Sequence, residues 1–273
     1  MKRLVATLLL SAWAVAGWSA GGGLDLLAAR IDLEDTASLQ RGARIYVNYC
    51  LGCHSLDFLR YERMGRDLGL TDEQVSENLL YTADKVTAPM SIAMRPDAAW
   101  KWFGVAPPDL SVISRARGPD WLYSYLTTFY ADANPSRPFG VNNVVFEDVG
   151  MPHALVPFQG LQTYVHGETP AGATEVHTLG LAVDGDDILV RKSATMPDGS
   201  HVPVVDRLTV TEPGEMSPGE YRSAMRDLVN FLVYAGEPSQ LQRRALGFWV
   251  VLFLVVLALI LRALYKEYWR DVH

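Results

Sequence analysis

The sequence predicts a mainly α domain with a small β insertion, held by a single C-terminal transmembrane helix. Three observations predict it. Helix-capping signals and apolar 3.6-residue periodicity recur between residues 38 and 126 and again from 217 to 234; β-like runs are confined to about residues 163–212; and an uncharged apolar stretch lies near the C-terminus. With 273 residues, 49% of them hydrophobic and 20% charged, a core is assured and wholesale disorder is excluded. The net charge of −7, from 24 basic and 31 acidic residues, argues against a general nucleic-acid binder, which needs clustered Lys and Arg. Cys50 and Cys53 are the only cysteines, so a disulfide-stapled scaffold is impossible.

The elements follow in order. Met1-Lys2-Arg3, the apolar run Leu4 to Trp18 and the small residues Ser19-Ala20-Gly21 describe a secretory signal, residues 1–21, with cleavage expected after Gly21. The competing reading, an N-terminal anchor, lacks a charged stop. Cleavage removes Lys2 and Arg3 and takes the net charge from −7 to −9. Gly21-Gly22-Gly23 is a joint. Ser38 can cap a helix from about Leu39 to Tyr49, with Ile45 and Tyr49 on one face. Thr71-Asp72-Glu73-Gln74 has capping-box form and opens a helix carrying Val75, Leu79 and Leu80. Ala106-Pro107-Pro108-Asp109 is a rigid non-helical turn, and Gly118-Pro119-Asp120 starts a helix through Trp121, Leu122, Tyr125 and Leu126.

Ile188 to Arg191 and Val202 to Val205 flank the turn signal Pro197-Asp198-Gly199, a β insertion within the exported domain of residues 22–240. Ser217-Pro218-Gly219-Glu220 combines an N-cap, a first-turn proline and a capping-box glutamate. Its helix runs to about Tyr234 with Met225, Leu228, Phe231 and Leu232 on the apolar face, packed against the first helix. Gly236-Glu237-Pro238 ends it. Ala245 to Leu261 are seventeen residues without a charge, which with the following turn make a membrane span over 245–265. Basic residues flank both sides, so orientation rests on the signal: the domain lies on the periplasmic side of the inner (cell) membrane, and the tail, 266–273, stays inside.

Cys50-Leu51-Gly52-Cys53-His54 is the c-type haem attachment pattern. Two thiols three positions apart can add to the two vinyl groups, and the adjacent imidazole reaches the iron. A redox dithiol would want a βαβ context and a zinc site a second pair of ligands; both are missing. The opposite axial ligand is open at this level. Met151, Met90, Met94 and Met196 compete, and His153, two residues past Met151, makes a bis-His site conceivable. The other four histidines lie in polar or terminal stretches.

Beyond the motif, the chain resembles the cytochrome c1 family. The resemblance is carried by Arg41 to Tyr49 before the motif, by Pro107-Pro108-Asp109-Leu110-Ser111 with Arg115-Ala116-Arg117, by Gly150-Met151-Pro152, and by the helix before the anchor. It spans about residues 36–270. It implies a class I cytochrome c-like haem domain with one covalent haem c, His54 and Met151 as axial iron ligands, Arg117 paired with a haem propionate, and Pro107 and Pro108 lining the pocket. A thioether opposite an imidazole raises the potential, a buried propionate needs a guanidinium, and two prolines make a wall without hydrogen-bond demands. The chain lacks the extra cysteine pair of some bacterial members.

The resemblance implies an electron-transfer subunit of ubiquinol–cytochrome c reductase, associated with cytochrome b, reduced by a Rieske iron–sulfur protein and oxidised by cytochrome c. As an isolated chain it is a carrier; enzymatic activity belongs to the assembly. An independent anchored monohaem cytochrome, or a haem enzyme or sensor with an open sixth position, are the alternatives. Residues 131–237 hold 15 acidic and 6 basic side chains, which predicts an acidic surface for a basic redox partner.

Overall fold

The computed structural model describes residues 23–92 and 94–271, so the expected signal lies outside the described residues. The chain divides into two compact units. The first takes the described part of Met1–Arg30, with Phe103–Val105 and Ile113–Met225; the second takes Ile31–Trp102, Ala106–Val112 and the described part of Arg226–His273.

The second unit begins with α1, Thr36–Ile45. Its N-cap is Asp35, which accepts from the Ser38 amide at 2.9 Å; the Ser38 hydroxyl instead donates to Asp227 at 2.7 Å. The expected Ser38 cap is therefore displaced by a carboxylate three residues upstream. A π-helical turn, Tyr46–Cys50, follows α1. One extra residue per turn changes the phase, so Tyr46 is fully buried while Tyr49, expected on the Ile45 face, is exposed. Next come β1 (Leu56–Arg60), α2 (Tyr61–Asp67) and α3 (Asp72–Asn78); α3 opens with both halves of the Thr71–Gln74 capping box made. β2 (Pro89–Met90) pairs antiparallel with β1, and α4 spans Pro96–Phe103.

In the first unit, α5 (Ile113–Arg117) and α6 (Pro119–Thr127) precede a six-stranded sheet. Its strands are β3 (Phe129–Ala131), β4 (Val141–Asn143), β5 (Gly160–Val165), β6 (Glu175–Asp184), β7 (Asp187–Thr195) and β8 (His201–Pro213), in the order β4-β3-β5-β8-β7-β6. The short helix α7, Val156–Gln159, leads into β5. The expected mainly α fold with a small insertion is corrected here. The hairpins of the insertion are present, with the turn at Gly199 in the left-handed region (φ 82°), but they extend a sheet that also recruits β3, β4 and β5. β3 and β4 are three residues each, too short to show alternation, and β3 joins β5 through the non-local pair Ala131↔Thr163. Asp25 bridges Gly180 at the outer edge of β6, and the Leu27 and Ala29 amides donate to Ser124 and Asp120 of α6. On the sheet, Asp206 is buried with Lys192 at 2.5 Å and the Tyr164 hydroxyl at 2.7 Å.

α8, Pro218–Gly236, begins with the reciprocal Ser217–Glu220 box, Ser217 N–H to Glu220 at 2.9 Å and Glu220 N–H to Ser217 at 3.4 Å. Its second half packs on α1, as expected. Gly42 is the point of contact: a Cβ there would lie 2.1 Å from the Asp227 carbonyl oxygen. Arg41 donates to Asp227 at 2.6 Å, and Asn230 donates to the Asp32 carbonyl at 2.6 Å. α9, Gln240–Tyr268, is one continuous helix with no buried residue, long and apolar enough to cross a membrane.

Candidate functional site

The haem-motif residues follow directly from the π turn. Leu51 N–H donates to the Tyr46 carbonyl (2.9 Å), and the amides of Cys53 and His54 both return to the Cys50 carbonyl (3.0 and 2.9 Å), winding Cys50 to His54 into a tight turn. Leu51 plugs it into the core with no exposed surface. Underneath, the Tyr46 hydroxyl donates to the His54 carbonyl at 2.5 Å, and the Tyr46 ring rests against Phe231 of α8 with centroids 5.6 Å apart. Cys50 and Cys53 are both unpaired thiols. Burial pushes Cys50 up to about 12, aided by Cys53, and burial also raises Cys53.

His54 Nδ1 lies 2.7 Å from the Pro108 carbonyl oxygen. A carbonyl only accepts, so Nδ1 carries the hydrogen and Nε2 keeps its lone pair, the tautomer an iron ligand needs. Burial lowers the His54 pKa against the opposing pull of Pro108 and Asp109. The role of the Pro-Pro segment is thus more than a wall. Asp109 accepts from the amides of Asp57 and Ser111 (2.9 and 2.8 Å), Leu110 N–H donates to the Ser55 carbonyl (2.9 Å), and the Ser111 hydroxyl accepts from Phe58 N–H (3.2 Å). These bonds lace residues 108–111 to the strand after the motif and hold the Pro108 carbonyl in place. Asp109 and Ser111 were not picked out individually from the sequence; the Pro-Pro-Asp-Leu-Ser run was the signal that contained them.

In the first unit, Met151 is half-buried against Phe129, Val141 and Val149, with Tyr125 and Phe139 beside it. The Tyr125 hydroxyl donates to Met151 Sδ at 3.4 Å. The sharp turn before Met151 is made by Asp148, in the left-handed region at φ 59°, and not by Gly150. Asp148 N–H donates to Asn142 at 3.0 Å, and its carboxylate pairs with Arg137. Of the competing ligands, Met90 is fully buried on β2 opposite Leu56, and Met196 opens the turn between β7 and β8. His153 is buried and stacked flat on Phe129, centroids 4.9 Å apart, with Nε2 unpartnered; burial pushes it down to about 4. Arg117 is exposed at the end of α5, its guanidinium 5.0 Å over the Trp121 ring. Sequence reasoning missed Tyr46 and Tyr125, which carry no motif of their own.

The residues described fit a covalently held haem: two free thiols at the required spacing, and beside them an imidazole whose Nδ1 is fixed by a carbonyl, leaving Nε2 for the iron. A model of the Cytochrome C1 family matches residues 30–173 and 208–272. The unmatched stretch, 174–207, covers β6, β7 and the first half of β8, the outer hairpins of the sheet. Cytochrome c1 of Allochromatium vinosum is 44% identical over 272 residues, covering 100% of this chain and 99% of that protein. A Nitrosomonas europaea protein named ammonia monooxygenase gamma subunit is 40% identical over 255 residues, 93% of this chain and 92% of its own. Cytochrome c1 of Rhodospirillum rubrum is 27% identical over 259 residues, 87% and 83% of the two chains. With the family model covering most of its length and a full-length relative at this identity, the chain belongs to the cytochrome c1 family and carries covalently bound haem c.

Proposed function

We propose that the chain is the electron-transfer subunit of a ubiquinol–cytochrome c reductase, the cytochrome bc1 complex, taking one electron at a time from a Rieske iron–sulfur protein and passing it to cytochrome c. The observation that carries this reading is the His54 Nδ1 to Pro108 carbonyl bond of 2.7 Å within a CxxCH turn. It fixes the tautomer that leaves Nε2 available to haem iron.

Bound haem supplies the one-electron iron couple. Cys50 and Cys53 would hold it through thioether bonds, and His54 Nε2 and Met151 Sδ would ligate the iron, a pairing that favours the ferrous state. Arg117 would offer a guanidinium to a propionate, and Pro107 and Pro108 would line the pocket, the Pro108 carbonyl being engaged by His54. The signal, residues 1–21, is removed; residues 22–240 form the periplasmic domain; residues 245–265 of α9 cross the inner membrane beside cytochrome b, leaving 266–273 in the cytoplasm. The bare apolar surface of α9 supports this placement.

Mild-detergent purification through a C-terminal tag tests the proposal. Haem b and an iron–sulfur protein should co-purify, with quinol-driven reduction of cytochrome c. Haem c recovered alone would identify an independent carrier instead.

A further inference from the structure

We infer that Tyr125 tunes the reduction potential of the haem iron by donating its phenolic hydrogen to the sulfur of Met151. The inference rests on Met151 as the sixth ligand. The hydroxyl stands 3.4 Å from Sδ, within hydrogen-bond reach for sulfur. A thioether has two lone pairs, so one can bind iron while the other accepts the hydroxyl.

The donor is held for this purpose by its neighbours. Tyr125 stacks on Trp121, one turn earlier on α6, with centroids 5.1 Å apart and planes 8° from parallel, and meets Phe129 edge-on at 5.1 Å. Arg117 lies over the Trp121 ring at 5.0 Å. Residues 117, 121 and 125 thus form one column, four apart along the chain, ending at the sulfur.

The direction of the effect follows from electron donation. A hydrogen bond draws density from the sulfur lone pairs and places a partial positive charge near the iron. Ferric iron needs that donation more than ferrous, so the oxidised form is the one disfavoured. Tyr125 therefore raises the potential and weakens the ferric iron–sulfur bond. It acts through Met151 and is a positioning residue.

The test is Tyr125→Phe in the intact membrane complex, where the ring contacts survive and only the hydroxyl is lost. Covalent haem and the sulfur-to-iron absorption band should remain. At a fixed poise the ferrous-to-ferric ratio should fall about fivefold for one lost hydrogen bond, which at 59 mV per decade for one electron is roughly 40 mV. Imidazole should displace Met151 from the ferric haem less readily, because the unencumbered sulfur binds harder. Placing 3-fluorotyrosine at position 125, a stronger donor, should shift both readings the opposite way. An unchanged potential overturns the inference, as does easier displacement by imidazole, which would mean that the variant merely loosens packing. If Met151→Leu keeps the sulfur-to-iron band, the ligand reading itself falls and Tyr125 tuning falls with it; a normal Met151 result with a silent Tyr125→Phe condemns Tyr125 alone.

Discussion

Replacing Gly42 with alanine separates two physical effects of opposite sign. Inside a free helix the change stabilises, by about 1 kcal/mol of helix propensity. In α1 it should do the reverse. The new Cβ would lie 2.1 Å from the Asp227 carbonyl oxygen and 2.7 Å from the Phe231 Cβ, where ordinary contact begins near 3.4 Å. Backbone cannot rotate away, so α1 and the second half of α8 must part by more than an ångström. That movement stretches the bonds to Asp227 from Arg41 at 2.6 Å and from Ser38 at 2.7 Å. Overpacking costs about 1–3 kcal/mol, and weakening hydrogen bonds to a charged group adds about 1.5 kcal/mol or more. Against the propensity gain, the net loss should be roughly 1.5–3.5 kcal/mol. Denaturant unfolding of the detergent-solubilised holoprotein, followed by tryptophan fluorescence and haem absorption, reads it as a lowered midpoint. A midpoint that stays level or rises would show that the close approach is not what holds α1 on α8.

Other perturbations discriminate the remaining readings. Met151→Leu keeps the volume; it should retain covalent haem, lose the sulfur-to-iron band and lower the potential, while His153→Leu keeps the band. The reverse pattern would establish bis-His ligation. Lys192→Met strands the buried Asp206 carboxylate and should destabilise the sheet by about 3–5 kcal/mol, most of it recovered in Lys192→Met/Asp206→Asn; calorimetry showing equal losses would refute the pairing. Burial works against the Asp206 charge, yet Lys192, the Gly167 amide and Tyr164 hold its pKa below the usual range. Its contribution is therefore full above the ordinary carboxylate pKa of about 3.9 and is lost as pH falls through the depressed value; Asp206→Asn should flatten that acid limb. Reduction of a basic cytochrome c should slow with added salt, since residues 131–237 carry 15 acidic against 6 basic side chains; a flat or rising profile would remove any steering role.

Features set by neighbours in the chain were legible in the sequence. The capping boxes at Thr71–Gln74 and Ser217–Glu220 form because their partners are three residues apart, and Cys50, Cys53 and His54 declare themselves by spacing. Apolar length alone marked α9. Features set by distant partners were not legible. Ser38 looked like a cap, but its hydroxyl is claimed by Asp227, far along the chain in α8. β3 and β4 have no pattern of their own and exist because neighbouring strands offer them an edge. Tyr125 reads as one more apolar helix residue until folding brings Met151 beside it. The resemblance led to Pro107 and Pro108 as a wall; what it did not supply was that the Pro108 carbonyl fixes the imidazole tautomer.

The π turn makes the segment between Gly42 and Cys50 a ruler whose length is pinned at both ends. Gly42 is seated against Asp227 and Phe231, and Tyr46 is tied to the carbonyl of His54. Keeping all five residues of Tyr46–Cys50 but winding them as ordinary α-helix would swing everything beyond them by about one residue's rotation, about 100°, around the helix axis. The thiols and the imidazole would then be turned away from the Pro108 carbonyl while α1 stayed docked. Residue count and wide winding are therefore matched along this stretch: losing the π turn at constant length would misalign attachment chemistry and fold at the same stroke.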